Sequence, residues 1–313
     1  MSEGAVRRLV VVGAGAVGAS IGGLCFAARF PVVLIARGAH LDALCERGLS
    51  LRLPELAFQL DVPVAESVAE VDWQPGDVAL LATKLQDAEQ ALDALLAAAG
   101  AKVPVVCAVN GIDGEVWAAE RFETVLATLV WLPATHLMPG EVRLHSAGAR
   151  GVLDTGAVRG SAGVADEICT LFRRAGFEAL RRDEILRWKR AKLLTNLGAA
   201  AQALVTDDWL AVAAAARAEG THVLADAGLE HVPVEELLER CACVGEAPIG
   251  GVAREGGSTW QSRARGLPLE SPWIEGAIAR IAGEHGLEAP INAALARAAL
   301  APRDRRAAEF LPG

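Results

Sequence analysis

A glycine-rich hexapeptide near the start of the chain has the residue types and spacing of a phosphate-binding loop. It is Gly13-Ala14-Gly15-Ala16-Val17-Gly18, and it directly follows the apolar residues 9–12. Between a strand and a helix, the first glycine of GxGxxG permits a tight turn and the second lets the backbone approach a pyrophosphate. The third lets the helix and strand pack closely, and the helix start presents free N–H groups to the phosphates. The pattern therefore predicts a dinucleotide site.

The elements that must position this loop are predicted from continuous apolar runs bounded by turn residues. Such runs are typical of strands buried on both faces of a parallel sheet. They occupy residues 9–12, 32–35, 78–82, 103–107 and 124–131. Helical patterns at 17–29 and 86–99 supply right-handed crossovers. Two later strand candidates, at 141–145 and 151–154, are expected to extend this Rossmann-type, doubly wound α/β sheet. Their patterns are compatible with an antiparallel orientation.

The pattern changes near residue 182. From Asp183 onward helical periods replace strand signals, and residues 245–257 are a Gly-rich, irregular stretch among them. Two segments are typical of helix beginnings: the acidic residues 207–208, which precede an alanine-rich run, and residues 233–236, which start with a proline. We therefore expect a dinucleotide-binding domain over residues 1–182. Residues 183–313 are expected to form an all-helical domain for substrate binding and dimerisation.

The end of the second predicted strand distinguishes NAD from NADP. An NAD enzyme usually places Asp or Glu there to accept a hydrogen bond from the ribose 2′-hydroxyl. Here Ile35-Ala36 is followed by Arg37, and the next acid is Asp42. A guanidinium can pair in bidentate fashion with the 2′-phosphate of NADP. The sequence therefore favours NADP(H), with a solvated surface charge as the alternative interpretation of Arg37.

Two polar residues follow later strands at the edge where open α/β sheets bind ligands. Lys84 follows the strand predicted at 78–82, and Asn110 follows the one at 103–107. The ammonium of Lys84 and the amide of Asn110 could each reach a cofactor or a substrate carbonyl. Taken alone, both residues could equally lie on a loop surface.

In order along the chain, these and later motifs resemble the ketopantoate reductase (2-dehydropantoate 2-reductase) family over nearly the whole length. The motifs are the glycine loop, Thr83-Lys84 with Asp87, Asn110-Gly111, Lys192-Leu193-Leu194-Thr195-Asn196, Ser258-Thr259-Trp260-Gln261, Glu270 and Ala289-Pro290-Ile291-Asn292. Their order and spacing are far more specific together than any motif alone. The resemblance implies NADPH-dependent reduction of a 2-oxo acid, with 2-dehydropantoate reduced to pantoate for pantothenate biosynthesis.

The resemblance also implies roles for particular residues. It places the catalytic lysine at Lys192, the carbonyl-side asparagines at Asn110 and Asn196, and the active-site glutamate at Glu270. Ser258 would meet the substrate carboxylate, and Lys84 would lie on the nicotinamide side of the cofactor, where Asn110 also contributes.

The chemistry of a carbonyl reduction agrees with these roles. The carbonyl oxygen becomes negatively charged, and an ammonium at Lys192 can both stabilise and protonate it. Because Lys192 and Asn196 are four residues apart, one helix face carries both toward the same oxygen. Lys189 and Arg190 lie in the same basic run, for which a solvated helix face is the alternative. The spacing to Asn196 selects Lys192, and the alternative interpretation of Glu270 is a surface acid before a helix.

Three positions depart from the family pattern. Ala200 stands where the family commonly has a second asparagine, Glu255 where an asparagine often precedes the serine motif, and Ser262 where an aspartate is usual. A pocket that loses a hydrogen-bonding group changes its discrimination among substrates. The reductase chemistry is expected to be retained, whereas the side chain of the substrate is left open.

Two alternative functions remain. A lysine and an asparagine four apart also serve 3-hydroxy acid dehydrogenases, but those enzymes usually have a Gly-rich approach to the lysine, and Arg181-Arg182-Asp183-Glu184 precedes it here. The non-enzymatic alternative is a redox sensor that binds NADP(H). Lys192 and Glu270 argue against it, because a sensor needs no proton donor.

Composition limits the expected partners. Thirty basic and 39 acidic residues give a formal net charge of −9, so no general attraction to nucleic acid or anionic membranes is expected. Glycines interrupt the uncharged run after Arg7-Arg8, so no membrane span is expected either. The six scattered cysteines are expected to be reduced thiols of a cytoplasmic protein without metal-site spacing. We expect a small 2-oxo acid substrate and, since two-fold dimers are common, a homodimer.

Overall fold

The computed structural model describes residues 6–311, which form two compact units. The first unit contains the chain up to Val109 together with Gly114–Leu186 and Glu239–Arg254. The second contains Asn110–Asp113, Arg187–Leu238 and the chain from Glu255 onward. The sequence places the domain boundary after residue 182, whereas in the structure a later segment, Glu239–Arg254, returns to the first unit.

The described residues contain both strands and helices. The strands are β1 (Arg8–Val12), β2 (Val32–Ile35), β3 (Leu49–Arg52), β4 (Ala57–Leu60), β5 (Val64–Ala65), β6 (Asp77–Leu81), β7 (Val105–Cys107), β8 (Val125–Trp131), β9 (Ala134–Met138), β10 (Glu141–Leu144), β11 (Ser146–Gly148), β12 (Val152–Arg159) and β13 (Val244–Glu246). The α-helices are α1 (Ala16–Ala27), α2 (Gly38–Arg47), α3 (Leu85–Ala99), α4 (Asp113–Arg121), α5 (Ala162–Arg174), α6 (Ile185–Asn196), α7 (Ala199–Leu204), α8 (Trp209–Asp226), α9 (Val234–Cys241), α10 (Ser258–Ala264), α11 (Glu275–Glu284) and α12 (Pro290–Leu300). Short 3-10 helices lie at Val68–Glu70, Ser271–Trp273 and Ala307–Glu309.

A seven-stranded sheet forms the centre of the first unit. Its strand order is β12-β8-β7-β6-β1-β2-β5, and neighbouring strands are parallel except for β12 beside β8. Val12, at the end of β1, lies in register with Ile35 of β2 and Leu81 of β6. The carboxyl ends of three strands therefore meet beside the glycine loop. The order confirms the predicted doubly wound sheet.

The continuous apolar runs form the core of this sheet. Every residue of β6 and β7 is buried, and Leu9 and Val11 of β1 have no exposed surface. Helices α1 and α5 contribute Leu24 and Phe172 to the same core. Because layers on both sides bury these strands, they lack polar alternation, which is the pattern that made them predictable.

A second sheet has the order β4-β3-β10-β9. The sequence predicts that residues 141–145 extend the main sheet, and this prediction is wrong, because β10 pairs with β3 and β9 instead. Buried and half-buried residues alternate along β10, as suits a small sheet with one covered face. The other candidate, at 151–154, is confirmed: β12 joins the main sheet antiparallel to β8.

Glu239–Arg254 joins the first unit through one strand pair and one ion-pair cluster. β13 pairs antiparallel with β11, which corrects the expectation that the chain after residue 182 is entirely helical. Arg240 donates to both carboxylate oxygens of Asp154, at 2.7 and 3.0 Å, and Arg182 donates to one of them at 2.9 Å. Asp154 has no exposed surface. Its partner Arg240 is distant in sequence, so the pairing left no local signal.

In the second unit, a side chain of α8 caps the start of α12 and joins the two helices. Glu219 of α8 accepts hydrogen bonds from the backbone N–H groups of Ile291 and Asn292, at 3.0 and 2.8 Å, in the first turn of α12. The buried side chain of Asn292 donates to the same carboxylate and to the carbonyl of Ala216. The motif at 289–292 therefore begins a helix and fixes it against α8.

Among residues 6–311, no helix is long and apolar enough to cross a membrane, and no three His, Cys, Asp or Glu side chains are placed to hold a metal ion. All six cysteines lie in this range and are free thiols.

Candidate active site

The glycine loop connects β1 to α1, and two of its glycines are required by the backbone. Gly13 has a φ of 102°, and a Cβ atom there would lie 2.9 Å from the backbone nitrogen of Thr83. At Gly18 a Cβ atom would collide with the carbonyl oxygen of Gly13 and lie 2.9 Å from Val11. The first and third glycines therefore have the structural roles that the sequence pattern predicts.

The middle glycine of the loop faces open space. A Cβ atom on Gly15 would meet no atom within 4 Å, and Gly15 is the N-cap residue of α1. Ala14 is buried and its N–H donates to the carbonyl of Ile35 over 2.9 Å, while Ala16 and Val17 begin the helix. This space, next to a helix start with free N–H groups, fits a pyrophosphate.

A cavity of about 320 Å³ lies beside the ends of β1 and β2. Its walls are Val12, Ile35, Arg37, Ser67, Val68, Ala69, Ala91, Ala94, Ala97 and Ala98. Four of these five alanines belong to α3, where their small side chains leave room for a ligand. The walls are mostly apolar, with few polar groups, as is typical of a site for a planar organic group such as adenosine.

Arg37 supplies the positive charge of this cavity. It is the exposed N-cap residue of α2, directly after the end of β2, and no carboxylate belongs to the described walls. Lys84 is the half-buried N-cap residue of α3, and the preceding Thr83 contacts the glycine loop near Gly13. Both side chains therefore lie in or next to the loops that would hold a dinucleotide.

Lys192 and Asn196 are brought together in the second unit. The ammonium of Lys192 donates a hydrogen bond to Oδ1 of Asn196 over 2.9 Å, and both side chains are half-buried on α6. The two side chains lie on one face of the helix, as their four-residue spacing predicts. This hydrogen bond fixes the position of the ammonium of Lys192.

The basic run before Lys192 is not a solvated helix face. Lys189 is only 3% exposed, and half-buried Arg190 donates to the carbonyl of Glu230 over 2.8 Å. The alternative interpretation of a solvated face is therefore wrong for Lys189. Lys189 differs from Lys192 in being buried, and Arg190 is bound to the carbonyl of Glu230.

The other expected site residues also lie in the second unit. Glu270 is 4% exposed, so the interpretation of it as a surface acid is wrong, and its carbonyl accepts from the N–H of Trp273. Ser258 is exposed at the start of α10, and half-buried Asn110 lies in the loop after β7. The same short segment contains buried Asp113, which forms an ion pair with Arg280.

Glu275 is a buried acid of the second unit that no sequence pattern marked as a site residue. Glu275 has no exposed surface, and its Oε1 accepts from the N–H groups of Gly198 and Ala200, at 3.2 and 3.0 Å. Burial raises the pKa of Glu275 to about 7, against the opposing effect of these hydrogen bonds. A glutamate in the first turn of a helix is usually exposed to solvent, so the sequence around Glu275 does not predict its burial.

The three positions that depart from the family pattern differ in exposure. Ala200 is fully buried, Ser262 is 5% exposed, and Glu255 is exposed to solvent. Ala200 donates its N–H to Glu275 but has no polar side-chain atom. Of the three positions, Ala200 is therefore the one where a buried polar side chain is replaced by an apolar one.

Comparison with known proteins places these features in one family. Residues 9–159 match the family described as ketopantoate reductase PanE/ApbA, and residues 191–302 match its C-terminal domain. A 2-dehydropantoate 2-reductase of Pyrococcus horikoshii is 26% identical over 91% of this chain and 94% of its own. One of Archaeoglobus fulgidus is 28% identical, over 93% and 96%.

Solved structures share the fold. A PanE/ApbA family ketopantoate reductase from Ralstonia eutropha has a TM-score of 0.76 at 24% identity, covering 94% of this chain and 97% of its own. The ternary structure of D-mandelate dehydrogenase with NADH and anilino(oxo)acetate has a TM-score of 0.79 at 22% identity, with the same coverage.

The matched family is one of oxidoreductases that act on a CH–OH/C=O pair. The chain belongs to the ketopantoate reductase PanE/ApbA family.

Proposed function

We propose that the protein is an NADPH-dependent reductase of 2-oxo acids that converts 2-dehydropantoate to pantoate, with Lys192 as the general acid. The observation that carries this proposal is the 2.9 Å hydrogen bond between Lys192 and Asn196. It puts a positioned ammonium in a chain that matches both domains of the family.

The lysine and asparagine have complementary parts in the reaction. A bound nicotinamide supplies the hydride that the carbonyl carbon receives. Lys192 donates a proton to the carbonyl oxygen as negative charge develops there, and the group ends as a neutral amine that regains its proton from solvent. Because Oδ1 of Asn196 accepts from Lys192, the amide NH₂ of Asn196 remains to donate to the same oxygen.

Three further residues bind or orient the substrate in this proposal. The exposed hydroxyl of Ser258 donates to the substrate carboxylate, and Asn110 contributes an amide on the carbonyl side. The buried carboxylate of Glu270 orients the ammonium of Lys192 or accepts from the product hydroxyl. These roles agree with family membership and with the placement of all three in the second unit.

The preference for NADPH over NADH rests on Arg37. Its guanidinium lies at a cavity whose described walls contain no carboxylate to repel a 2′-phosphate. A bidentate guanidinium–phosphate pair would favour NADP(H). Lys84, next to the glycine loop, would lie on the nicotinamide side.

A second candidate function keeps this chemistry and changes the substrate. Ala200 is fully buried and offers a methyl group where the family commonly has an amide. A pocket with one fewer hydrogen-bonding group discriminates less in favour of a hydroxylated substrate such as 2-dehydropantoate. A 2-oxo acid with a bulky apolar side chain is therefore the alternative.

The test is a comparison of substrates with the purified protein. Oxidation of NADPH and NADH is followed by absorbance with 2-dehydropantoate, pyruvate, oxaloacetate, branched 2-oxo acids and phenylglyoxylate. The proposal expects the highest kcat/KM for 2-dehydropantoate with NADPH. A higher value for an apolar 2-oxo acid would support the second candidate, and no turnover of any oxo acid despite tight NADPH binding would support a redox sensor.

A further inference from the structure

A histidine on helix α2 contacts the backbone of the glycine loop. His40 lies three residues after Arg37, and its Nε2 is 2.8 Å from the carbonyl oxygen of Ala14. On the other side of the ring, the backbone N–H of Gly140 donates to Nδ1 over 2.9 Å. The imidazole therefore bridges the cofactor loop and the turn between β9 and β10.

These two contacts fix which ring nitrogen carries the proton. A backbone N–H can only donate, so Nδ1 of His40 must be the acceptor toward Gly140. A carbonyl oxygen can only accept, so Nε2 carries the hydrogen and donates it to Ala14. The neutral Nε2–H tautomer satisfies both partners at once.

The bond to Ala14 also determines the direction of the next amide. The peptide between Ala14 and Gly15 is planar and trans, so its C=O and N–H point in opposite directions. Because His40 holds the carbonyl oxygen on the α2 side, the N–H of Gly15 points away from α2. The N–H of Ala14 is itself fixed on Ile35, so both peptide groups that flank Ala14 are held.

Neighbouring elements hold the ring in place. Gly140 is buried in the Pro139-Gly140 turn with a φ of 79°, as expected for the third position of a type II turn. The ring of His136, on β9, lies 4.2 Å from the ring of His40 between centroids. The second sheet therefore supports the side chain that contacts the cofactor loop.

We propose that His40 is a positioning residue for the dinucleotide, which it serves by directing the N–H of Gly15 toward the pyrophosphate. The inference rests on the proposed function in so far as the glycine loop must bind a dinucleotide. Since Arg37 is the N-cap residue of the helix that carries His40, the ring also connects the pyrophosphate loop to the segment that would bind the 2′-phosphate.

The test uses two unbranched replacements of similar length. His40→Gln can both donate and accept, whereas His40→Met can do neither. We expect His40→Met to raise the Kd for NADPH, measured by fluorescence titration, by about tenfold, and His40→Gln to recover most of the affinity. With a verified oxo acid, KM for NADPH should rise in parallel while kcat and KM for the oxo acid change less than about twofold. His222→Met, at an exposed histidine of α8, is the control, with an unchanged Kd.

A second measurement uses the unaltered protein and therefore does not depend on whether the variants fold. Nitrogen NMR should show the Nε2–H tautomer at His40, and the amide resonance of Gly15 should shift when NADPH is added. A Kd for His40→Met equal to that of the unaltered protein, or an Nδ1–H tautomer, would overturn the role of His40 alone. Failure of the unaltered protein to bind NADPH or NADH would overturn the proposed function and this inference with it.

Discussion

Lys192 and Asn196 are joined by a 2.9 Å hydrogen bond from ammonium to amide oxygen, one turn apart on the same helix. Because the lysine is half-buried, the bond restricts a long side chain that would otherwise sample many rotamers. Buried Lys189 and half-buried Arg190 are engaged elsewhere in the packing. The helix therefore presents one positioned ammonium, which is what a general acid requires.

Replacement of Arg37 tests the proposed preference for NADPH. The Arg37→Ala variant should raise KM for NADPH by about 10- to 100-fold, because a charge-assisted bidentate pair with the 2′-phosphate is lost. KM for NADH should hardly change, since NADH lacks that phosphate. Arg174→Ala, at an exposed arginine of α5, is the control. Equal effects on both cofactors would show that Arg37 does not contact the 2′-phosphate.

The glycine loop allows cofactor binding to be separated from folding. In Gly15→Ala the new methyl group meets no protein atom, so the unfolding temperature should stay near that of the unaltered protein. The methyl group would occupy the space for the pyrophosphate, and the Kd for NADPH should rise at least about tenfold. Gly13→Ala, at a φ of 102°, should instead lower the free energy of unfolding by about 1–3 kcal/mol. Unchanged NADPH affinity in Gly15→Ala would place the cofactor elsewhere.

Burial of Glu275 predicts a stability that depends on pH. Its pKa is raised to about 7 in the folded protein, so the folded state binds the proton more tightly than the unfolded chain. The free energy of unfolding should therefore fall as pH rises from about 4.5 to about 7, by on the order of 3 kcal/mol, and then level off. Glu275→Gln keeps an oxygen for Gly198 and Ala200 and should lack this fall.

Urea unfolding of the unaltered protein and of Glu275→Gln, at about pH 5 and about pH 8, measures this difference directly. Other titrating groups are common to both proteins and cancel in the comparison. A variant that lost as much stability as the unaltered protein over this range would show that Glu275 does not titrate there.

Asp154 is predicted to be the main anchor of the segment Glu239–Arg254. Asp154→Asn leaves the guanidinium groups of Arg182 and Arg240 without a carboxylate in a buried site. We expect the free energy of unfolding to fall by about 3–5 kcal/mol in urea titrations. Asp166→Asn, at an exposed ion pair with Arg181, should cost less than about 1 kcal/mol. Similar losses in both variants would contradict the account.

The cofactor half of the fold was predictable because its signals are local. Gly13 has a positive φ within the turn itself, and Gly18 packs against the carbonyl oxygen of Gly13 five residues before it. Strands β1, β2 and β6 are continuous apolar runs, and the lysine and asparagine of α6 are one turn apart. In each case the sequence pattern that made the prediction possible lies on one short segment of the chain.

Features that depend on distant partners were not predictable. His40 contacts Gly140 across 100 positions, and Glu275 contacts Ala200 across 75, so neither residue has a local pattern. The strand β13 has three residues, and its partner β11 lies far upstream. Burial of Lys189 was missed for the same reason, because a basic helical run is usually solvated.

The most direct test of the central claim is the activity of Lys192→Ala. With 2-dehydropantoate and NADPH, kcat of this variant should fall by about 10²–10⁴-fold, while its Kd for NADPH stays within about twofold of the unaltered protein. Lys102→Ala, at an exposed lysine, should retain full activity. A Lys192→Ala variant that turned over 2-dehydropantoate at nearly the original kcat would contradict the assignment of Lys192 as the general acid.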